Sequence, residues 1–221
     1  MNILPILALI FAGLESLALW KKWRRLEYVA KPAVMVCLFL WLYLATGLQG
    51  VAFWFGVGLI FSLAGDVLLM LSLERMFVFG LLAFLLAHIA YLAGFQNELR
   101  TVSFWSVLLL FIIAVNALRL MRRIISAMRA NGQDRLVNPV IVYSSVISVM
   151  LYAAMTTLSN PAWKAGASLL VGLGASLFYA SDLVLAWNKF VSPIQNGRMI
   201  NIGLYHLGQI GLIAGVISQF G

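Results

Sequence analysis

The chain has 221 residues, of which 63% are hydrophobic and only 10% charged. That is too little polar surface to coat a water-soluble domain, so lipid must be its solvent. The net charge of +8 sits between apolar runs rather than along one patch, which excludes a nucleic-acid-binding role and matches a membrane topology signal.

A helix needs roughly 20 apolar residues to cross a bilayer. Eight runs qualify, at about 2–20, 31–47, 51–71, 76–95, 102–119, 138–157, 163–187 and 198–219. The expected fold is all-α: a polytopic bundle of eight transmembrane helices, one domain over residues 1–221. The first run lacks a basic segment before it and is followed by positive residues, so it is expected to be a retained helix rather than a signal peptide. Short polar connectors such as Leu73-Glu74-Arg75 and Gln96-Asn97-Glu98-Leu99-Arg100 separate the runs. Pro32, Pro139 and Pro161 stand near expected helix starts, where a missing N–H costs nothing. Cys37 is the single cysteine, so no intrachain disulfide forms.

Charge sets the orientation. Thirteen Lys and Arg residues fall on the side of the first, third, fifth and seventh connections, including Arg24, Arg75, Arg119, Arg123, Lys189 and Arg198. The other side holds Arg100 and Lys164. The bias puts the basic side in the cytoplasm and both termini outside it. The expected location is the bacterial inner membrane.

Short matches between the two halves of the chain suggest an internal repeat. Gly65-Asp66-Val67-Leu68-Leu69 in the third run resembles Ser181-Asp182-Leu183-Val184-Leu185 in the seventh. His88 in the fourth matches His206 in the eighth, and Lys31-Pro32 matches Asn138-Pro139. Each pairing joins run n to run n + 4, as a tandem 4+4 architecture would.

Ionisable residues inside a span cost roughly 2.5–3.5 kcal/mol each at mid-bilayer and need a reason. Five stand in or just inside apolar runs: Glu15, Asp66, His88, Asp182 and His206. All but His88 lie roughly 8–12 Å from the basic side at 1.5 Å per residue, and His88 lies deeper. One shared cavity open to that leaflet is therefore expected. Gly58, Ser62, Gly65 and Asp66 make one small, polar stripe; Asn201, Tyr205, Gly208 and Gln209 make another; Tyr143, Ser144, Ser148 and Tyr152 line the sixth run. Glu15 and Lys31 are expected to pair near the interface. A packing role weighs against catalysis for His88. No metal site is expected: there is no His-x-x-x-His, His-Glu-x-x-His or cysteine pair.

Two carboxylates in a low-dielectric cavity titrate apart, leaving one a proton donor and the other a base. Such a pair suits reactions through an oxocarbenium-like cation, or an aspartyl hydrolase. An intramembrane aspartyl protease is disfavoured: residue 63 is leucine where Gly-x-Gly-Asp needs glycine, and the aspartates are four runs apart. A proton-coupled transporter or lipid-binding protein fits the same carboxylates.

The run from Gly58 to Asp66 and on to Met70 resembles the third-span signature of the YhhN-like membrane proteins, the lysoplasmalogenase family. Gly80 through His88 with Tyr91, Ser181-Asp182 with Asn188-Lys189-Phe190, Lys31-Pro32, and Tyr205 to Gln209 are similar too, in order along nearly the whole chain. The resemblance implies hydrolysis of the vinyl ether bond of a lysoplasmalogen, with no metal or organic cofactor and a lysophospholipid as the small-molecule partner. The chemistry of that reaction matches the paired carboxylates, so Asp66 and Asp182 are the expected catalytic acid and base, roles unassigned between them. Lys31 is then the candidate for the phosphate. Glu15, Ser62, His88, Tyr91, Tyr143, Asn188, Tyr205, His206 and Gln209 are the remaining candidates for binding the substrate.

Overall fold

The computed structural model describes residues 3–72, 74–96 and 104–221. Among these the chain is helical, with α1 Leu4–Lys21, α2 Arg24–Thr46, α3 Val51–Leu71, α4 Phe77–Gly94, α5 Phe104–Ala130, α6 Val137–Thr156, α7 Ala165–Phe190 and α8 Gly197–Phe220. All eight are long and apolar enough to cross a membrane, and the chain is a multi-pass integral membrane protein. Leu73, the connector at 97–100 and the start of the expected fifth span lie outside the described residues.

Two boundaries differ from expectation. α2 begins at Arg24, seven residues before the expected start, so Pro32 lies inside the helix rather than at its head. The apolar window marks where lipid begins, whereas Arg24-Arg25-Leu26-Glu27 are good helix formers that start the helix earlier. α5 runs on to Ala130, so Arg119, Arg122, Arg123 and Arg129 are helical and not in a loop. Its 27 residues measure about 40 Å, longer than the hydrocarbon core. The overhang is held by Ile124 and Met128, which bury against Phe77, Val140 and Phe190.

The helices pair by matching small residues to large ones. On α3, Gly58 faces the ring of Tyr91 and Gly65 the ring of Phe84; a Cβ at these positions would stand 2.1 and 2.6 Å from those rings. α7 and α8 go further and bring backbone to backbone. A Cβ on Gly208 would lie 2.8 Å from Phe178 N, and one on Gly174 only 2.4 Å from Leu212 N. Lipid tails are as apolar as leucine, so close packing of this kind is what drives helices together in a membrane.

Around these pairs, α2 packs on α3 and α8, α4 on α6, and α1 on α2 and α8. α5 packs on α6 and α7. The α1–α2, α3–α4, α5–α6 and α7–α8 turns share one end of the bundle, here called the basic end. An aromatic layer crosses the interior: the ring of Phe178 lies 5.2 Å from that of Tyr205, 6.3 Å from Phe84 and 4.7 Å from His88.

Candidate functional site

Among the described residues, four small clusters of intramembrane polar side chains, each joining two or three helices, hold the acidic and histidine groups and Gln209; a fifth pair, Ser181 and Asn201, ties α7 to α8. In the first, the Tyr205 hydroxyl on α8 donates to Asp66 Oδ2 on α3 at 2.8 Å. Lys31 Nζ, from α2, stands 3.2 Å from Asp66 Oδ1 as an ion pair without hydrogen-bond alignment. Early helix formation in α2 carries Lys31 to this depth. Asp66 is 1% exposed and its charge is balanced on the spot, as burial requires.

In the second, the Tyr143 hydroxyl on α6 donates to Asp182 Oδ2 on α7. His88 Nε2 on α4 lies 3.0 Å from the same hydroxyl and 3.4 Å from Asp182 Oδ2. His88 is thus part of an aspartate cluster and not a packing residue alone. In the third, Gln209 accepts from Tyr91 at 2.8 Å and donates to Ser62 at 2.9 Å, all three buried. In the fourth, Glu15 of α1 and His206 of α8 pair at 2.5 Å, fully buried.

These partners correct two expectations. Glu15 does not pair with Lys31: α1 packs on α8, which turns Glu15 to His206, while Lys31 reaches Asp66. Nor do the groups at one depth share one cavity. Each is paired with neighbours on adjoining helices, and Phe178, between Tyr205 and His88, stands between the Asp66 and Asp182 clusters. Among the described residues no hydrogen bond or ion pair joins the two aspartates.

Two cavities lie beside the clusters. One is polar, opens at the basic end among α2, α3, α7 and α8, and is lined by Arg24, Lys31, Ser72, Asn188, Arg198 and Asn201. Glu27 ion-pairs with Arg198. Asn188 Oδ1 also accepts from Ile194 N at 2.8 Å, holding the α7–α8 turn against the pocket. α8 begins here, and the positive end of its dipole adds to the cationic field.

The other cavity is an apolar crevice among α4, α5, α6 and α7, with Phe77, Phe84, Met121, Ile147 and Tyr179 on its walls. Its polar groups are the hydroxyls of Tyr143, Ser144 and Tyr179 and the carboxylate of Asp182, whose side chain is 16% exposed. Leu69 and Leu185 line both cavities and form the partition between them. Each follows an aspartate by three residues, so the partition stands about one helical turn from both carboxylates.

Of the residues singled out in the sequence, Asp182, Tyr143, Ser144, Lys31, Asn188 and Asn201 therefore border a cavity. Asp66 and Tyr205 lie behind Lys31. Ser62, Tyr91 and Gln209 bond to one another and line neither cavity, and the same holds for Glu15 and His206. Arg24, Arg198 and Ser72 join the pocket without having been singled out for a site. The two arginines carried a signal in the sequence, as cations flanking span ends, but it was read only as orientation. Among the described residues no three His, Cys, Asp or Glu side chains converge as a bound metal ion would need.

The family model of the YhhN family matches residues 26–216. The chain is 30% identical over 156 residues to the lysoplasmalogenase TMEM86A of Bos taurus, covering 70% of this chain and 61% of that protein. It is 26% identical over 203 residues to the lysoplasmalogenase TMEM86B of Mus musculus, covering 86% and 74%. Human TMEM86B, also a lysoplasmalogenase, is 27% identical over 185 residues, covering 81% and 69%. The chain thus spans less than two thirds of the bovine protein's length. No solved structure matches the chain.

Proposed function

The chain belongs to the YhhN family, and on that premise we propose that it hydrolyses the vinyl ether bond of a lysoplasmalogen, giving a fatty aldehyde and a glycerophospho-base. One observation carries the reading beyond the names of relatives: a cationic pocket and an apolar crevice meet at Leu69 and Leu185, one turn from two carboxylates. A single-chain phospholipid has this layout. Its phosphate suits the pocket of Arg24, Lys31 and Arg198, and its tail suits the crevice. The ether linkage, a few bonds from the phosphate, then falls at the leucine partition.

The chemistry follows from the asymmetry of the two clusters. Asp182, at the crevice wall, is the acid that protonates the β-carbon of the alkenyl group, leaving an oxocarbenium ion. Its carboxylate then takes a proton from the water that adds to the α-carbon, which restores the acid. The resulting hemiacetal breaks its bond to the glycerol oxygen, which takes up a proton as the aldehyde forms. Asp66, paired with Lys31 and Tyr205, is the group placed to favour the cation. Tyr143 and His88 hold Asp182 in place. The positive-inside bias supports placing the basic end in the cytoplasm. The matched packing of α2 on α8 and of α4 on α6 supports the 4+4 repeat.

The test is aldehyde release from purified protein in detergent supplied with an alkenyl lysophospholipid. Release by wild type that falls by about three orders of magnitude in a folded Asp182→Asn variant supports the reading. No aldehyde from folded wild type removes it, and proton uptake driven by lipid without product would favour transport instead.

A further inference from the structure

We infer that the tail of the substrate reaches the crevice sideways, between α4 and α5, and that Ala117 on α5 decides which tails the crevice accepts. The inference rests on the hydrolase reading above and names the route and the selecting residue.

The observations come from α5. Ala117, Leu120, Met121 and Ile124 line the crevice at spacings of i, i+3, i+4 and i+7, so one stripe of the helix faces it. Across from this stripe stand Phe77, Leu81 and Phe84 of α4. α5 is anchored on α6 and α7, and its buried contacts Ile124 and Met128 lie at the basic end. α4 and α5 make no extended contact with each other, although they are consecutive in the chain. Apart from the cluster of Phe77 with Ile124 and Met128 at the basic end, the flank of the crevice between α4 and α5 is therefore not closed by helix packing. Both helices carry exposed apolar side chains beside their crevice-facing stripes, among them Val78 and Leu82 on α4 and Leu118 on α5. In a bilayer that flank meets lipid chains.

Position along the helices singles out Ala117. Ile124, Phe77 and Val140 cluster at the basic end of the crevice. Ala117, Phe84 and Ile147 each lie seven residues from them, about 10 Å further into the membrane. At that level the α4 and α6 walls carry large side chains and the α5 wall carries a methyl group. The gap faces the open flank. The occupant that suits it is one aliphatic chain, because the neighbouring cationic pocket fixes where its anionic head must sit. The groups facing the crevice from α6 and α7, Tyr143, Ser144, Tyr179 and Asp182, leave the α4–α5 side wholly apolar.

The experiment uses the intact protein and a non-hydrolysable alkyl-ether lysophospholipid carrying a photoreactive diazirine in mid-tail. Adducts are expected on the facing segments of α4 and α5. Ala117→Trp is expected to cut this labelling about fivefold or more. It should also lower the ratio of kcat/KM for a long-tailed over a short-tailed alkenyl lysolipid by about tenfold, the effect of losing two buried methylenes. Ala117→Leu, a milder change, should move both readouts the same way by less, and serves if the tryptophan variant does not fold. Adducts spread evenly over the lipid-facing surface, or confined to α1, α2 and α8, would overturn the inference. So would a folded tryptophan variant with unchanged labelling and ratio. Crevice labelling without aldehyde release removes the hydrolase reading and leaves the tail route standing; aldehyde release with labelling elsewhere does the reverse.

Discussion

Leu69 on α3 and Leu185 on α7 border both cavities, and each stands three residues beyond an aspartate. The two helices therefore present a carboxylate and a leucine one turn apart. Asp66 turns to the cationic side with Lys31, and Asp182 to the apolar side with Tyr143 and His88. A lipid laid across the leucines has its polar and apolar parts sorted to the two sides.

Because the aspartates have different surroundings, their substitutions should differ. Asp182→Asn is expected to remove activity and leave thermal stability close to wild type. Asp66→Asn should remove activity and also cost about 3–5 kcal/mol, since it strands Lys31 in the interior. The double variant Lys31→Met/Asp66→Leu should regain stability without activity. Melting temperatures in detergent check this, and equal stability of the two asparagine variants would refute it.

Tyr143→Phe removes the hydroxyl that joins His88 to Asp182. Leaving a buried hydrogen-bond partner unsatisfied costs about 1–3 kcal/mol, so kcat should fall roughly ten- to a hundredfold with KM little changed. A rise in KM at constant kcat would assign Tyr143 to binding alone.

Arg24 lines the polar pocket and, among the described residues, has no ion-pair partner. Arg24→Ala should raise KM for a lysophospholipid about tenfold and leave kcat near wild type, the signature of binding shared by ground and transition states. Steady-state kinetics on phosphate-bearing and phosphate-free alkenyl glycerols decide it: equal losses on both would place the arginine outside phosphate binding.

On α8, Gly203 and Gly208 are five residues apart and should respond in opposite ways. A methyl on Gly203 meets nothing within 4 Å, so Gly203→Ala should be neutral or stabilising by about 0.5–1 kcal/mol. A methyl on Gly208 meets the backbone of Phe178, which cannot swing aside, so Gly208→Ala should cost about 1–3 kcal/mol. Equal melting temperatures would mean that α7 and α8 are not in backbone contact.

Glu15 and His206 bury a carboxylate and an imidazole against each other. Replacing either by alanine strands the other, so the two losses should not add. A double-mutant cycle on melting should give a coupling of about 2 kcal/mol. Additive losses would show that the pair is not an interacting unit.

Much of this was legible in the sequence. Hydrophobic runs longer than a bilayer is thick report helices directly, because a backbone in lipid must satisfy its own hydrogen bonds. Asp66 and Asp182 were visible as costs that lipid makes conspicuous. The ends of α2 and α5 were misjudged because apolarity reports the membrane and not the helix, which Arg24 and Arg129 extend past the lipid boundary.

By itself the sequence determined eight apolar helices, the order of the polar groups along them and which connections carry the basic residues, since all of these depend on distance along one chain. Which group meets which was decided only in the tertiary structure. Lys31 goes to Asp66 and Glu15 to His206 because rotations about helix axes and the glycine-lined approach of α7 to α8 choose the facing residues. The separation of the aspartates by Phe178, and the two cavities meeting at Leu69 and Leu185, are products of that packing. Position along a helix is additive; partnership depends on every neighbour at once.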